Sequence, residues 1–158
     1  MICIPPKPGR APGAVFTPGM AREAVADIPL PGLELHVQPA GQTLVNVRTN
    51  FWAEPRPFGT SINLLGHTIE VKAQPAGFTW VHGDGTRQTT RVPGRPYPNL
   101  DVTHRYAQPA EVAARVVTMY TVRYSVDGGG WTDLGQPLAA PGPTTTIDVH
   151  QAVPVLTQ

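Results

Sequence analysis

The chain has 158 residues and a formal net charge of +1, from 12 basic and 11 acidic side chains, so its charge does not favour nucleic acid or an acidic membrane surface as a partner. This length suffices for one domain with its own hydrophobic core. The only cysteine is Cys3, which excludes an intrachain disulfide. The 19 prolines and 16 glycines alternate with short apolar runs, as is typical of many short strands joined by turns.

The first 30 residues differ in character from the rest. Residues 3–14 are rich in proline and glycine and have no apolar face, so we predict a tail there. A short helix is predicted to follow it. The predicted organisation is therefore a tail and helix in residues 1–30 and a β-sandwich in residues 31–158.

The helix is predicted from its end signals. Thr17 is a suitable N-cap, Pro18 suits the first helical position, and Pro29 stops the helix. Its apolar face is predicted to pack on an edge of the sandwich, and consists of Met20, Ala24 and Val25.

From Leu33 onward the apolar residues recur with a period of two, which predicts β-strands. The predicted strands cover 33–37, 45–51, 60–65, 69–73, 78–81, 102–106, 113–127, a strand that begins at 131, 145–149, and an edge strand at 153–156. Turns are predicted at 74–77 and 127–130, and most of 84–100 is predicted as loop because of its prolines. Strands in this number, one helix and no alternation of strand and helix predict an all-β sandwich. The predicted inner-face residues are Trp80, Tyr106, Tyr120, Val122 and Tyr124.

A strand that carries Trp80 runs into a Gly-Asp-Gly corner. A tryptophan on a central strand fills the space between two sheets. Gly83 and Gly85 permit positive φ angles, and Asp84 can accept backbone N–H groups within the corner. We therefore predict that this corner is structural.

A second strand carries His104 and Tyr106, which lie two residues apart and point to the same side. Tyr106 is predicted to pack its ring and to bind backbone with its hydroxyl. His82, Asp84 and His104 form an alternative three-ligand metal set, but the histidines lack zinc-site spacing and hydrogen-bonded structural roles are favoured.

The segment Trp-Val-His-Gly-Asp-Gly-Thr at 80–86, with Thr-His-Arg-Tyr at 103–106, resembles the polycystic-kidney-disease (PKD) type of domain. That family shows Trp-x-Phe-Gly-Asp-Gly-Thr and, a strand later, His-x-Tyr. The likeness covers residues 66–127, and His82 stands where the family usually has Phe. It implies an immunoglobulin-like sandwich, as found in secreted actinomycete proteins. It also implies an extracellular or cell-surface location, although the chain shows no secretory signal.

The residues that would support catalysis are scattered. Neither Ser61 nor Ser125 lies in a nucleophile elbow, and no pair of carboxylates stands in a suggestive context. We therefore predict no catalytic site, no metal site and no cofactor, with an enzyme of unrecognised type as the remote alternative.

Three aromatic residues are candidates for binding: Trp52, Tyr97 and Trp131. Phe51 and Trp52 are adjacent on a strand, so only one of them can face the core. An exposed ring would suit sugar stacking or a protein interface, and packing beneath a loop is the alternative.

The predicted function is that of a non-catalytic extracellular or cell-envelope module for structure, adhesion or assembly, which mediates protein interactions. A carbohydrate-binding module that uses the exposed aromatics is the alternative. The predicted partner is an envelope or extracellular protein, or a glycan, and self-association stays open. No membrane span is predicted, because no run approaches the ~20 apolar residues needed.

Overall fold

The computed structural model describes residues 15–151, which form one helix and eleven strands. The helix α1 spans Pro18–Ala26. The strands are β1 (His36–Gln38), β2 (Gln42–Leu44), β3 (Thr49–Trp52), β4 (Phe58–Leu64), β5 (His67–Val81), β6 (Arg87–Thr90), β7 (Thr103–His104), β8 (Ala110–Val126), β9 (Trp131–Asp133), β10 (Leu138–Pro141) and β11 (Thr145–His150).

The strands of this part of the chain form two sheets. The larger has eight strands, with the path β2-β11-β8-β5-β4; β6 joins it on β5, while β9 and β10 join it on β8. The smaller has three strands, in the order β1-β3-β7. The protein is therefore mostly β with more than one sheet, in agreement with the predicted all-β sandwich.

The two longest strands, β5 and β8, pair antiparallel along the middle of the large sheet. Their register shifts between Pro75 and Gly77, where a turn was predicted; that prediction was wrong, because β5 continues through the irregularity. The extra residue moves the buried positions of β5 from odd numbers, such as Val71, to even numbers, such as Trp80. One face of the ribbon thus stays apolar over its whole length.

Two hydrophobic cores lie along this face, since the even-numbered residues of β8 from Val112 to Tyr124 are all buried. The first core lies between the two sheets and includes Trp80, Tyr106, Phe51, Val116 and Ile147. The second lies between the large sheet and α1, and includes Val25, Ile69, Tyr120, Val122 and Tyr124. All five predicted inner-face residues are buried, so that prediction is confirmed.

The helix begins as predicted, with the Thr17 Oγ1 accepting the Met20 N–H at 3.2 Å. Its buried residues are Ala21 and Val25, one turn apart, whereas Met20 and Ala24 are only half-buried. Ala21 and Val25 pack among side chains of β5 and β8. The helix therefore covers the large sheet at the end where the second core lies, and it packs on the face of the sheet rather than on an edge strand. The boundary at residue 30 stays a prediction.

The predicted single strand over 45–51 was also wrong. Asn46 has a positive φ of 62°, a conformation that asparagine tolerates better than most residues, and its N–H donates to the Tyr106 carbonyl at 2.9 Å. The chain therefore leaves β2 of the large sheet and enters β3 of the small one. Strands β2, β6 and β10 were not predicted, because the predicted strand at 45–51 begins after β2 has ended and overlaps only β3. The predicted tail at 3–14 and edge strand at 153–156 lie outside the described residues.

Candidate functional site

The corner between β5 and β6 is built around Trp80, which is buried and donates its indole N–H to Thr90 Oγ1 at 2.9 Å. Gly83 and Gly85 both have positive φ, of 88° and 90°, as predicted. Gly83 also passes close to β8, because a Cβ at this position would lie 2.6 Å from the Ala113 carbonyl oxygen. The tight corner thus needs glycine at Gly83 for space as well as for conformation.

Asp84 uses both carboxylate oxygens within this corner. Its Oδ1 accepts the Thr86 N–H at 3.0 Å and the Thr86 hydroxyl, while its Oδ2 accepts from His104 Nε2 at 2.8 Å. Desolvation raises the pKa of Asp84, but the hydrogen bonds from Thr86 and His104 outweigh it and lower that pKa to about 2. The carboxylate is therefore charged at neutral pH and held by the corner.

The two histidines of the motif stack on each other, with ring centroids 3.8 Å apart and an interplanar angle of 6°. Desolvation, together with the nearby His104, lowers the pKa of His82 to about 4, so its ring is neutral at pH 7. His82 Nδ1 is buried and has no hydrogen-bond partner within residues 15–151. In the same residues no group of three or more His, Cys, Asp or Glu side chains is placed to hold a metal ion.

Tyr106 completes the constellation from the side of the small sheet. Its hydroxyl donates to the His82 carbonyl oxygen at 2.7 Å, and its ring meets His104 edge to face at 4.7 Å. Burial and the charge of Asp84 raise the pKa of Tyr106. Tyr106 follows β7 of the small sheet, so these contacts tie the small sheet to the β5–β6 corner of the large one. A cavity of about 460 Å³ opens beside this tie, and Glu111 is among its lining residues.

The three candidate binding aromatics occupy different surroundings. Phe51 takes the core position and Trp52 is half-buried, stacked on His36 with centroids 5.2 Å apart. Tyr97 is 71% exposed, whereas Trp131 is 40% exposed and carries the Lys72 ammonium 4.5 Å above its ring. Among the described aromatic contacts, none joins any two of these three rings. The structure does not assemble them into one platform.

Tyr97 instead lines a groove of about 630 Å³, which we call the Tyr97 groove; its lining residues are Gln38, Pro39, Ala40, Val47, Arg48, Asn50, Tyr97 and Leu100. Asn50 is only 2% exposed, and its amide Nδ2 donates to the Arg95 carbonyl at 2.9 Å, while its Oδ1 has no partner in residues 15–151. Sequence reasoning selected Tyr97 but missed the other lining residues. They come from the β1–β3 region and from the proline-rich loop, and no local pattern indicates that these segments meet.

A second feature that sequence reasoning missed is a cavity of about 390 Å³ with two carboxylates in its lining, Glu34 and Glu54. His36 and Arg56 also line it, and Tyr120 borders it while its hydroxyl donates to the Pro31 carbonyl at 2.8 Å. The two glutamates are twenty residues apart in the sequence, so only the fold places them on one cavity.

Within residues 15–151, no helix has both the length and the apolar character needed to cross a bilayer. A scan against protein-family models found no match, and searches of curated proteins and of solved structures found none either. Fold and site together define an all-β protein whose sheets are joined by an aspartate–histidine–tyrosine constellation.

Proposed function

We propose that the protein is a non-catalytic module of the cell envelope or extracellular space, with a PKD-type immunoglobulin-like fold, that acts in adhesion or assembly by binding other proteins. The observation that carries this proposal is the internal use of the motif's polar groups. Both oxygens of Asp84 bond to Thr86 and His104, and the Tyr106 hydroxyl bonds to the His82 carbonyl. The groups that a catalytic site would direct at a substrate are instead engaged within the corner, through Thr86, and between the two sheets, through His104 and Tyr106.

The location is tested by fractionation of the host's cells with an antibody against residues 31–158. We expect the protein in the envelope or medium fraction, and an upstream reading frame that encodes an apolar signal with a cleavage site. Recovery only from the cytosol, with an in-frame stop directly upstream, would contradict the proposed location.

The non-catalytic role is tested with a panel of hydrolase substrates, on the wild type and on Asp84→Ala. Asp101→Ala is the matched control, because Asp101 is also held in a side-chain ion pair, with Arg95 at 2.7 Å, but lies outside the corner. We expect no turnover by any of the three proteins. An activity that Asp84→Ala abolishes and Asp101→Ala retains would replace this proposal with an enzyme.

Carbohydrate binding is the second candidate, and the exposure of Tyr97 in a groove that also holds Gln38 and Arg48 favours it. An exposed ring beside polar side chains suits a sugar, whose apolar face stacks on an aromatic. Retention on polysaccharide columns tests it, with Tyr97→Ser as the variant and Trp131→Ser as the control for a general loss of exposed aromatics. Retention that only Tyr97→Ser removes would favour the carbohydrate-binding module.

A further inference from the structure

The surface around the Tyr97 groove concentrates the exposed apolar side chains of the protein. Six large hydrophobic residues of the described chain are exposed, and three of them, Leu44, Val47 and Tyr97, lie on this surface. A second cavity, of about 190 Å³, is lined by Pro39, Gln42, Thr43, Leu44, Val47 and His150. It shares Pro39 and Val47 with the Tyr97 groove, so the two adjoin and form one strip. Clustered exposed apolar surface of this kind marks an interaction site.

The charged side chain that lines the strip is positive. Arg48 lines it, and among the described residues no aspartate or glutamate lines either cavity. Arg48 makes no salt bridge within residues 15–151, whereas the nearby Arg95 is neutralised by Asp101. A guanidinium in this setting is complementary to a carboxylate, which it can bind through two parallel hydrogen bonds.

The strip also lies along a sheet edge. Strand β2 ends the path of the large sheet, and it pairs on one side with β11, in parallel register from Gln42–Asp148 to Leu44–His150. Within residues 15–151 no strand pairs with the other side of β2, although the Leu44 carbonyl already accepts the Val47 N–H at 3.2 Å. An extended chain can add to a sheet edge of this kind by main-chain hydrogen bonds. Asn50, whose buried Oδ1 has no partner within residues 15–151, lines the same strip. Main-chain pairing needs an extended polypeptide and is not available to a sugar.

We propose that this strip binds an extended peptide of a partner protein, with apolar side chains over Leu44, Val47 and Tyr97 and an acidic side chain against Arg48. The proposal rests on the protein-binding function proposed above and names the surface and the chemistry of the partner segment. The sheet edge and the three exposed apolar side chains favour such a peptide over a glycan, which cannot add to a sheet by main-chain hydrogen bonds.

Peptide binding by the strip is tested with a display library of random ten-residue peptides. The library is selected on the wild type and counter-selected on Val47→Asp. Val92→Asp is the matched control, since Val92 is an exposed valine outside the strip, at 51% against 43% for Val47. We expect enriched sequences that alternate apolar residues with an aspartate or glutamate. Synthetic peptides of these sequences, measured by fluorescence polarisation, should lose about tenfold or more in affinity with Val47→Asp and none with Val92→Asp.

Charge reversal gives an independent measurement. Arg48→Glu should weaken the acidic peptides and strengthen versions in which lysine replaces the acidic residue, while Arg91→Glu, at an exposed position of the proline-rich loop, should do neither. Affinity for the wild type should fall as salt is raised, because the charged contact is at the surface.

Three results would overturn the proposal: no enrichment over the counter-selection, glycan binding that Val47→Asp abolishes, or a wild-type dimer that Val47→Asp dissociates. The proposed function and the proposed binding surface can be refuted independently of each other. A native envelope partner whose binding is indifferent to Val47→Asp would preserve the adhesion role and overturn the strip as its surface.

Discussion

His82 and His104 stack face to face, with centroids 3.8 Å apart, although His82 directly follows β5 of the large sheet and His104 lies in β7 of the small one. His104 hydrogen-bonds to Asp84 at 2.8 Å, while the buried His82 has a pKa lowered to about 4, chiefly by desolvation. The stack therefore places a neutral imidazole between the hydrophobic core and the charged aspartate. Folding stability should depend on pH through this arrangement.

The first prediction concerns pH and His82. The unfolded state takes up a proton near pH 6.5 that the folded state resists down to about pH 4, so stability should fall as the pH is lowered through this interval. The loss for this group should approach about 3 kcal/mol. Urea denaturation at several pH values measures it. His82→Phe should flatten the profile, whereas exposed His150→Gln should not, and an unchanged slope in His82→Phe would refute the assignment.

The second prediction concerns Asp84→Ala, which removes the hydrogen bonds to Thr86 and His104. We expect a loss of about 1–3 kcal/mol in the free energy of unfolding, as for other hydrogen-bonded groups left without a partner. Asp101→Ala, which removes a surface ion pair, should cost at most about 1 kcal/mol.

A chelator separates this structural role of Asp84 from a metal site. The melting temperature of the wild type should not change when chelator is added. A wild type that chelator destabilises, or an Asp84→Ala variant as stable as the wild type, would contradict the structural role. The contribution of Asp84 should be present above its unfolded pKa of 3.8 and be lost as the pH falls to about 2, because its folded pKa is the lower one.

The third prediction compares the two glycines of the corner. Gly85→Ala should cost about 1–2 kcal/mol, because alanine at a φ of 90° is strained but has open space around it. Gly83→Ala should cost at least about 1 kcal/mol more, since its Cβ would meet the Ala113 carbonyl oxygen. Gly85→Val should also exceed Gly85→Ala, because a β-branched residue at positive φ is an outlier. Equal melting temperatures for Gly83→Ala and Gly85→Ala would argue against the close approach to β8.

The fourth prediction concerns Tyr106→Phe, which keeps the buried ring and removes the hydroxyl that donates to the His82 carbonyl at 2.7 Å. The free energy of unfolding should fall by about 1–3 kcal/mol, because a buried acceptor loses its donor. Tyr97→Phe is the control, since the Tyr97 side chain is largely exposed and should contribute nothing measurable. If both variants unfold at the same urea concentration, the hydroxyl does not join the sheets.

The elements that the sequence predicted well are those specified by near neighbours. The helix begins at Pro18 because Thr17 and Pro18 are adjacent, and β8 follows a sustained alternation that needs no partner to be recognised. The errors occurred where pairing with a segment distant in the sequence decides the local conformation. Gln74–Gly77 has the composition of a turn, yet β8 pairs along β5 on both sides of it and keeps the strand extended.

The amino-acid sequence by itself determined the all-β class, the buried Trp80 and Tyr106, and the positive φ angles of Gly83 and Gly85, because periodicity and residue type act locally. Only the tertiary structure decided that the chain turns at Asn46 from β2 of one sheet to β3 of the other, and that His82 stacks on His104. It also decided that Tyr97 shares a groove with Val47 and Arg48. These contacts join residues about twenty to fifty positions apart, and alternation along a strand tells which side is buried but not which distant strand or loop covers it.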